Sequence, residues 1–143
     1  MQSLKGELRK TGRYVHADVM VINPLRQSLR QNVRFIADTG AVGCVIPESI
    51  AKKLKLQSRG KIVAVMADGS QKPLDTSFAV LEFAGKRLYA WVAYEKGFDA
   101  LLGVDIMEVL GIHVDVPNKN LLMPVKHFSI KNFILTLGWK KFR

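Results

Sequence analysis

The sequence predicts a mostly β fold, a small closed or sandwich-like barrel with one or two short helices. Three observations carry that expectation. Apolar and polar residues alternate at the two-residue period of a half-buried strand from Tyr14 to Ile22. Short apolar runs recur between turn-forming residues along most of the chain, and only two stretches carry helix signals. Apolar residues make up 48% of the 143 residues, enough to build a core. The length fits one domain, and neither a linker nor a repeat at a solenoid period interrupts it.

The first strand is the clearest. Val15, Ala17, Val19 and Val21 alternate with His16, Asp18 and Met20 until Asn23-Pro24 breaks the pattern. The polar stretch Arg26 to Gln31 reads as a turn, and Val33 to Ala37 as a second strand that closes an antiparallel hairpin at Asp38. Cys44, Val45 and Ile46 form a short third strand stopped by Pro47. A helix follows: Pro47 suits its first turn, Glu48 its positive end and Lys52, Lys53 and Lys55 its negative end. Ile50, Ala51 and Leu54 supply the buried face. Strands resume at Ile62 to Ala67, turn at Asp68-Gly69-Ser70, and continue as a hairpin from Thr76 to Phe83, through Gly85-Lys86, to Leu88 to Tyr94. Asp105 to Leu110 reads as a short helix ended at Gly111 in a C-cap position. Ile112, Val114 and Val116 form a last strand closed by Pro117-Asn118. Beyond Pro124, Phe128, Ile130, Phe133 and Ile134 are interleaved with basic residues, a pattern that suits packing on the body or across an interface.

Charge is unevenly spread over a net +10. Residues 1–35 carry seven Lys/Arg against two acids, residues 36–115 nine against ten, and residues 116–143 six against none. The ends are basic and the middle is near neutral. Solvated termini are the plain reading; attachment of nucleic acid or an anionic membrane surface through them is the alternative. No apolar run approaches the ~18 residues needed to cross a bilayer, and the polar, basic Met1 to Arg13 holds no signal-peptide core. A cytoplasmic protein is expected. Cys44 is the single cysteine, so no disulfide forms within the chain, and its apolar neighbours predict a small buried hydrophobe.

Chemistry concentrates at Phe35-Ile36-Ala37-Asp38-Thr39-Gly40-Ala41. A carboxylate here leaves an apolar strand directly into a glycine-containing turn. Burial of a carboxylate is costly unless it is paired, hydrogen-bonded or protonated, and functional sites exploit that perturbation. On the residues alone, Asp38 is either an acid or base, or a strand-end aspartate bonding to its own turn. His113 and Asp115 share one strand face, but no metal-ligand spacing accompanies them, and a surface pair is the simpler account. Asp105 reads as structural, capping its helix or bonding nearby backbone. Tyr89 and Trp91 alternate on a strand and read as core or interface residues, not as a base-stacking platform. Ser49 and Ser70 have no neighbouring base to activate them.

Asp38-Thr39-Gly40-Ala41 after an apolar strand resembles the signature of the retropepsin-like aspartic proteases. The likeness extends to Cys44-Val45-Ile46-Pro47 followed by a helix, to Ala67-Asp68-Gly69, and to Leu101-Leu102-Gly103-Val104-Asp105 with its short helix and returning strand. It covers about residues 14–123, leaving basic segments 1–13 and 124–143 outside the core of a single domain. The two hallmarks in this order, about sixty residues apart, are specific where a lone Asp-Thr-Gly is not. The resemblance implies the retropepsin-like closed β-barrel, one lobe per chain.

It also implies an aspartic endopeptidase acting as a homodimer. One copy of the signature supplies one carboxylate, so the second comes from Asp38 of a twofold-related partner. Thr39 matches the position that bonds across the interface, Gly40 the tight turn, and Ala41 the start of the cleft lining. Leu101, Leu102 and Gly103 match the residues that brace the active-site loop. The substrate is an extended polypeptide under a flap hairpin placed within Ile62 to Thr76, with Met66, Ala67, Asp68, Gly69 and Ser70 as contributors. No metal or organic cofactor is implied. The alternative is a catalytically weak or silent dimerisation or protein-binding module on the same fold.

Overall fold

The computed structural model describes residues 2–5, 15–66, 68–115, 117–118 and 120–123. The apolar tail beyond Pro124 and strand residue Val116 lie outside them. Among the described residues, ten strands form two sheets, with two short helices.

Strand β1 spans Gln2–Lys5, β2 His16–Asn23 and β3 Arg26–Ala37. The alternation in β2 and the preceding Val15 faces Val15, Ala17, Val19 and Val21 inward and leaves Asp18 exposed. The stretch Arg26 to Gln31 is strand, not turn: the reversal needs only Pro24-Leu25. Asn23 makes that possible, because its Oδ1 accepts from the Leu25 and Arg26 amides at 2.8 and 3.2 Å. Polar residues suit this half of β3 because it is largely solvent-facing.

Strand β4 (Cys44–Pro47) leads into helix α1 (Glu48–Lys53), where Ala51 and the following Leu54 are buried. Glu48 pairs with Lys52 at 3.3 Å one turn on. Strands β5 (Lys61–Val65) and β6 (Gln71–Phe83) form a hairpin, and β6 continues through Ala84-Gly85 into β7 (Lys86–Glu95). The turn is Ala84-Gly85, one residue earlier than expected; both have positive φ, which matches the twist of a two-residue hairpin. Strand β8 (Leu101–Leu102) precedes helix α2 (Val104–Leu110), capped by Gly111 with φ 70°. The chain then runs through β9 (His113–Asp115) to β10 (Asn120–Met123). Strands β1 and β10, which no sequence signal announced, join β9 in a separate three-stranded sheet in which β10 pairs with both β1 and β9.

The main sheet runs β2-β3-β8-β4-β7-β6-β5, and a further β2–β6 pairing at Met20–Ile22 closes the first six into a ring. Inside lie Phe35, Leu81, Leu102, Ile46, Ile106 and Leu110, among others. Each such side chain contributes about 1.5–3 kcal/mol on burial. Strand β5 hangs outside the ring on β6, so its apolar residues Ile62, Val63 and Val65 face solvent. Among the described residues no helix is long and apolar enough to cross a membrane.

Candidate active site

Asp38 follows the last residue of β3, whose inward Phe35 and Ala37 anchor the strand in the core. Its backbone amide donates to the Leu102 carbonyl at 3.1 Å. Its Oδ1 accepts from the Gly40 amide at 2.8 Å, and the Ala41 amide closes the turn on the Asp38 carbonyl at 3.1 Å. Thr39 and Gly40 are exposed, so the carboxylate sits on a fixed turn at the open surface of one chain.

The turn is fixed because β8 threads between β3 and β4. Ile36 and Ala37 pair in parallel with Leu101 and Leu102, and Val45 pairs antiparallel with Leu101. Beyond β8 the lacing continues: the Val104 amide donates to Ala41 at 2.8 Å and the Asp105 amide to Val42 at 3.1 Å. Gly103 is required by close approach. A Cβ there would stand 2.4 Å from the Gly43 carbonyl oxygen, with two more Gly43 backbone atoms within 2.8 Å. The structure thus ties Leu102 to Asp38, sets Gly103 against Gly43, and bonds the residues after Gly103 to Ala41 and Val42, while Thr39 and Gly40 stay exposed.

Two ionisable groups stand behind this loop. Burial pushes the Cys44 thiol up to about 12, against a hydrogen bond with the Gly103 backbone, while Asp105 adds to the rise. Cys44 is therefore a neutral, buried packing residue. Partial burial also raises the Asp105 carboxyl, opposed by the Ile106 amide and its own backbone amide, with Glu108 adding to the rise. Its Oδ1 accepts from Ile106 at 2.7 Å, and the helix N-cap is Gly103, so Asp105 bonds neighbouring backbone from inside the first turn.

The remaining predicted site residues lie on the β5–β6 hairpin. Met66 donates to the Ser70 carbonyl at 2.8 Å and Gly69 to the Met66 carbonyl at 2.9 Å. Asp68 is held below the usual carboxylate range by the Ser70 hydroxyl and amide, at 2.6 and 2.9 Å. Gly69 has φ 86°, a conformation other residues adopt with strain. Ala67 lies outside the described residues. Among the described residues no hydrogen bond joins this tip to the Asp38 turn within one chain. The hairpin root does approach the loop: a cavity of about 390 Å³ is lined by Gly43 and Asp105 on one side and by Gly60, Lys61 and Ile62 on the other.

Two features escaped the sequence. Lys72 on β6 lies 3.8 Å from the Glu95 carboxylate and 5.3 Å from the centre of the Phe98 ring, tying the hairpin to the segment before β8. Val42, 82% exposed beside the turn, is an apolar residue left uncovered among the described residues. The Lys72 contacts have no local signature, since Glu95 and Phe98 lie far along the sequence. His113 is exposed, and Asp115 accepts from the Asn118 amide and side chain at 3.3 and 2.9 Å. Among the described residues no three His, Cys, Asp or Glu cluster as a metal site would require.

The sequence matches the aspartyl protease family over residues 18–106, more than half of the chain. No curated protein matches it. Among solved structures it resembles a retropepsin-like aspartic protease from Rickettsia conorii, with a TM-score of 0.59 and 16% identity. That match covers 84% of this chain and 88% of the other. It also resembles the EIAV protease complexed with the inhibitor HBY-793, with a TM-score of 0.58 and 16% identity, over 73% of this chain and 95% of that one. At such identity the likeness is one of fold: this chain has the retropepsin fold.

Proposed function

Because this chain belongs to the aspartyl protease family, we propose that it is an endopeptidase whose active site forms between two copies, each supplying Asp38. The observation that carries the reading is the Asp38 turn itself. It is laced rigidly to β8 and α2, yet it lies at the surface with an exposed Val42 beside it and no second signature in the chain. A twofold arrangement would cover that surface and bring the two carboxylates to about 3 Å, sharing one proton and one water. Each chain would contribute one domain, with residues 14–123 as its core.

In that pair the ionised carboxylate takes a proton from the water, which attacks the scissile carbonyl carbon. The protonated carboxyl donates to the developing oxyanion, and the leaving nitrogen is then protonated as the C–N bond breaks. Thr39 holds the two turns in register, and the Gly40 amide orients its own Asp38 carboxylate. An extended polypeptide lies across Ala41, beneath the Met66 to Ser70 tips, bonded in the manner of an added strand. The exposed Ile62, Val63 and Val65 on the edge strand β5 suit apolar substrate side chains.

Incubating the protein with a mixed pool of unstructured peptides from about pH 3 to 7 tests this, with products read by mass spectrometry. Products that vanish in Asp38→Asn while the dimer persists support it. Products that persist equally in the variant remove Asp38 from the mechanism. A stable dimer of the wild type that yields no products favours a silent binding module.

A further inference from the structure

Tyr89 and Trp91, read from the sequence as core or interface residues, lie outside the core on the outer face of β7. Phe78 and Trp91 are directly opposed across the two strands, and their rings stack with centroids 3.9 Å apart and planes 32° apart. Trp91 is 50% exposed, Phe78 41% and Tyr89, two residues along the same face, 69%. These aromatics are not core residues, and among the described residues no element covers them.

The stacked pair separates two cavities. Phe78 lines one of about 210 Å³ together with Arg26, Lys55 and Arg59, and no carboxylate residue lines it. Trp91 lines the cavity of about 390 Å³, where Arg59 appears again beside Lys61 and Asp105. Arg26, Lys55 and Arg59 form no ion pair with any described carboxylate, whereas Lys61 is engaged by Asp75 at 3.2 Å.

The cations are carried on anchored backbone. The Arg59 amide donates to the Thr76 carbonyl at 2.7 Å, and the Ser77 hydroxyl holds the Gln57 carbonyl at 2.7 Å. Asn23 accepts from the Arg26 amide and donates to the Leu54 and Lys55 carbonyls at 2.8 and 3.4 Å. Three exposed cations on anchored backbone, unpaired among the described residues and beside an exposed aromatic ridge, are complementary to a polyanion that also offers flat π-faces.

We propose that this face, built by Phe78, Trp91, Tyr89, Arg26, Lys55 and Arg59, binds single-stranded nucleic acid. Phosphates lie against the three cations in the smaller cavity, and unstacked bases lie on Trp91 and Tyr89. A duplex keeps its bases stacked internally and gains nothing from the ridge. An acidic polypeptide would use the cations but not the rings. None of the six residues belongs to the Asp38 turn or its bracing segment, although Arg59 and Trp91 line the cavity that also reaches Gly43 and Asp105.

The test is fluorescence anisotropy of the full-length chain, freed of co-purified nucleic acid, with labelled thymidylate and uridylate strands of about twelve nucleotides. Salt is varied from about 50 to 300 mM. Binding is expected to weaken about tenfold in Trp91→Ala and severalfold in Tyr89→Ala. Arg59→Ala should weaken all sequences alike and flatten the salt slope by about 0.7. Tyr89 stands largely in solvent, so its variant reports on binding even if Trp91→Ala folds poorly; circular dichroism checks both. Absence of binding at the lowest salt overturns the proposal. So does binding that all three variants leave intact, which assigns it to basic residues elsewhere. Equal competition by polyglutamate with no dependence on Trp91 or Tyr89 assigns the face to acidic polypeptides instead.

Discussion

Replacing Gly103 with alanine places a methyl group against the backbone of Gly43, with the nearest atom 2.4 Å away and two others at 2.6 and 2.8 Å. Real Cβ contacts do not fall under 3.0 Å, so the two segments must part by at least about 0.6 Å. The opposing atoms are backbone and cannot swing aside. Gly103 itself has φ −86° and ψ 173°, which alanine adopts freely, so the penalty is steric alone. Overpacking of this kind costs about 1–3 kcal/mol. The same movement stretches the bonds from Asp38 to Leu102, Val104 to Ala41 and Asp105 to Val42, now 3.1, 2.8 and 3.1 Å, each worth about 1 kcal/mol net. The expected loss is about 3 kcal/mol, or roughly 10 °C in Tm for a domain of this size. Urea unfolding followed by circular dichroism measures it. Gly69→Ala is the control: φ 86° strains the backbone by about 1–2 kcal/mol, but nothing lies within 4 Å of its Cβ. A loss below about 0.5 kcal/mol in Gly103→Ala would refute the claim that this contact braces the Asp38 turn.

Asn23→Ala removes the acceptor for the Leu25 and Arg26 amides and the donor to the buried Leu54 carbonyl, and should cost about 1–3 kcal/mol in urea; an unchanged midpoint would contradict it. Asp105 predicts a pH dependence of definite sign. Its carboxyl is raised in the folded state above the ordinary value of 3.8, so between the two the folded chain binds more protons than the unfolded one. Its contribution to stability is present below that window and is lost as pH rises through the folded value. Asp105→Asn keeps an acceptor for Ile106 and should match wild type in acid while being at least as stable at neutral pH. A variant less stable at neutral pH than in acid, relative to wild type, would reverse the assignment.

The parts of the fold visible in the sequence are those where local chemistry and tertiary packing agree. The alternation of Val15 to Val21 is the inner face of a ring strand, and Gly111 caps α2 as its position after Leu110 suggests. Cys44 is buried among apolar neighbours, and the Asp38 turn sits where its glycine predicts. Disagreement appears where a strand owes its existence to a distant partner. Arg26 to Gln31 is polar because that half of β3 faces solvent, and polar residues there carry no period to read. Strands β1 and β10 are four residues each and are defined by pairing across the length of the chain. Tyr89 and Trp91 alternate like core residues, but their face of β7 is the outside of the ring. Lacing of the two loops was implied by a family likeness; the contact of Gly103 with Gly43 that enforces it has no sequence signal of its own.

The central claim is that one active site draws Asp38 from two chains. Mixing wild type with Asp38→Asn under conditions of subunit exchange, at constant total concentration, tests it through the initial rate on a peptide that wild type cleaves. If both carboxylates are required, only wild-type pairs act and the rate follows the square of the wild-type fraction, so an equal mixture retains about one quarter of the activity. A rate linear in that fraction, with about one half retained, would mean that each chain carries a complete site and would contradict the shared-aspartate account.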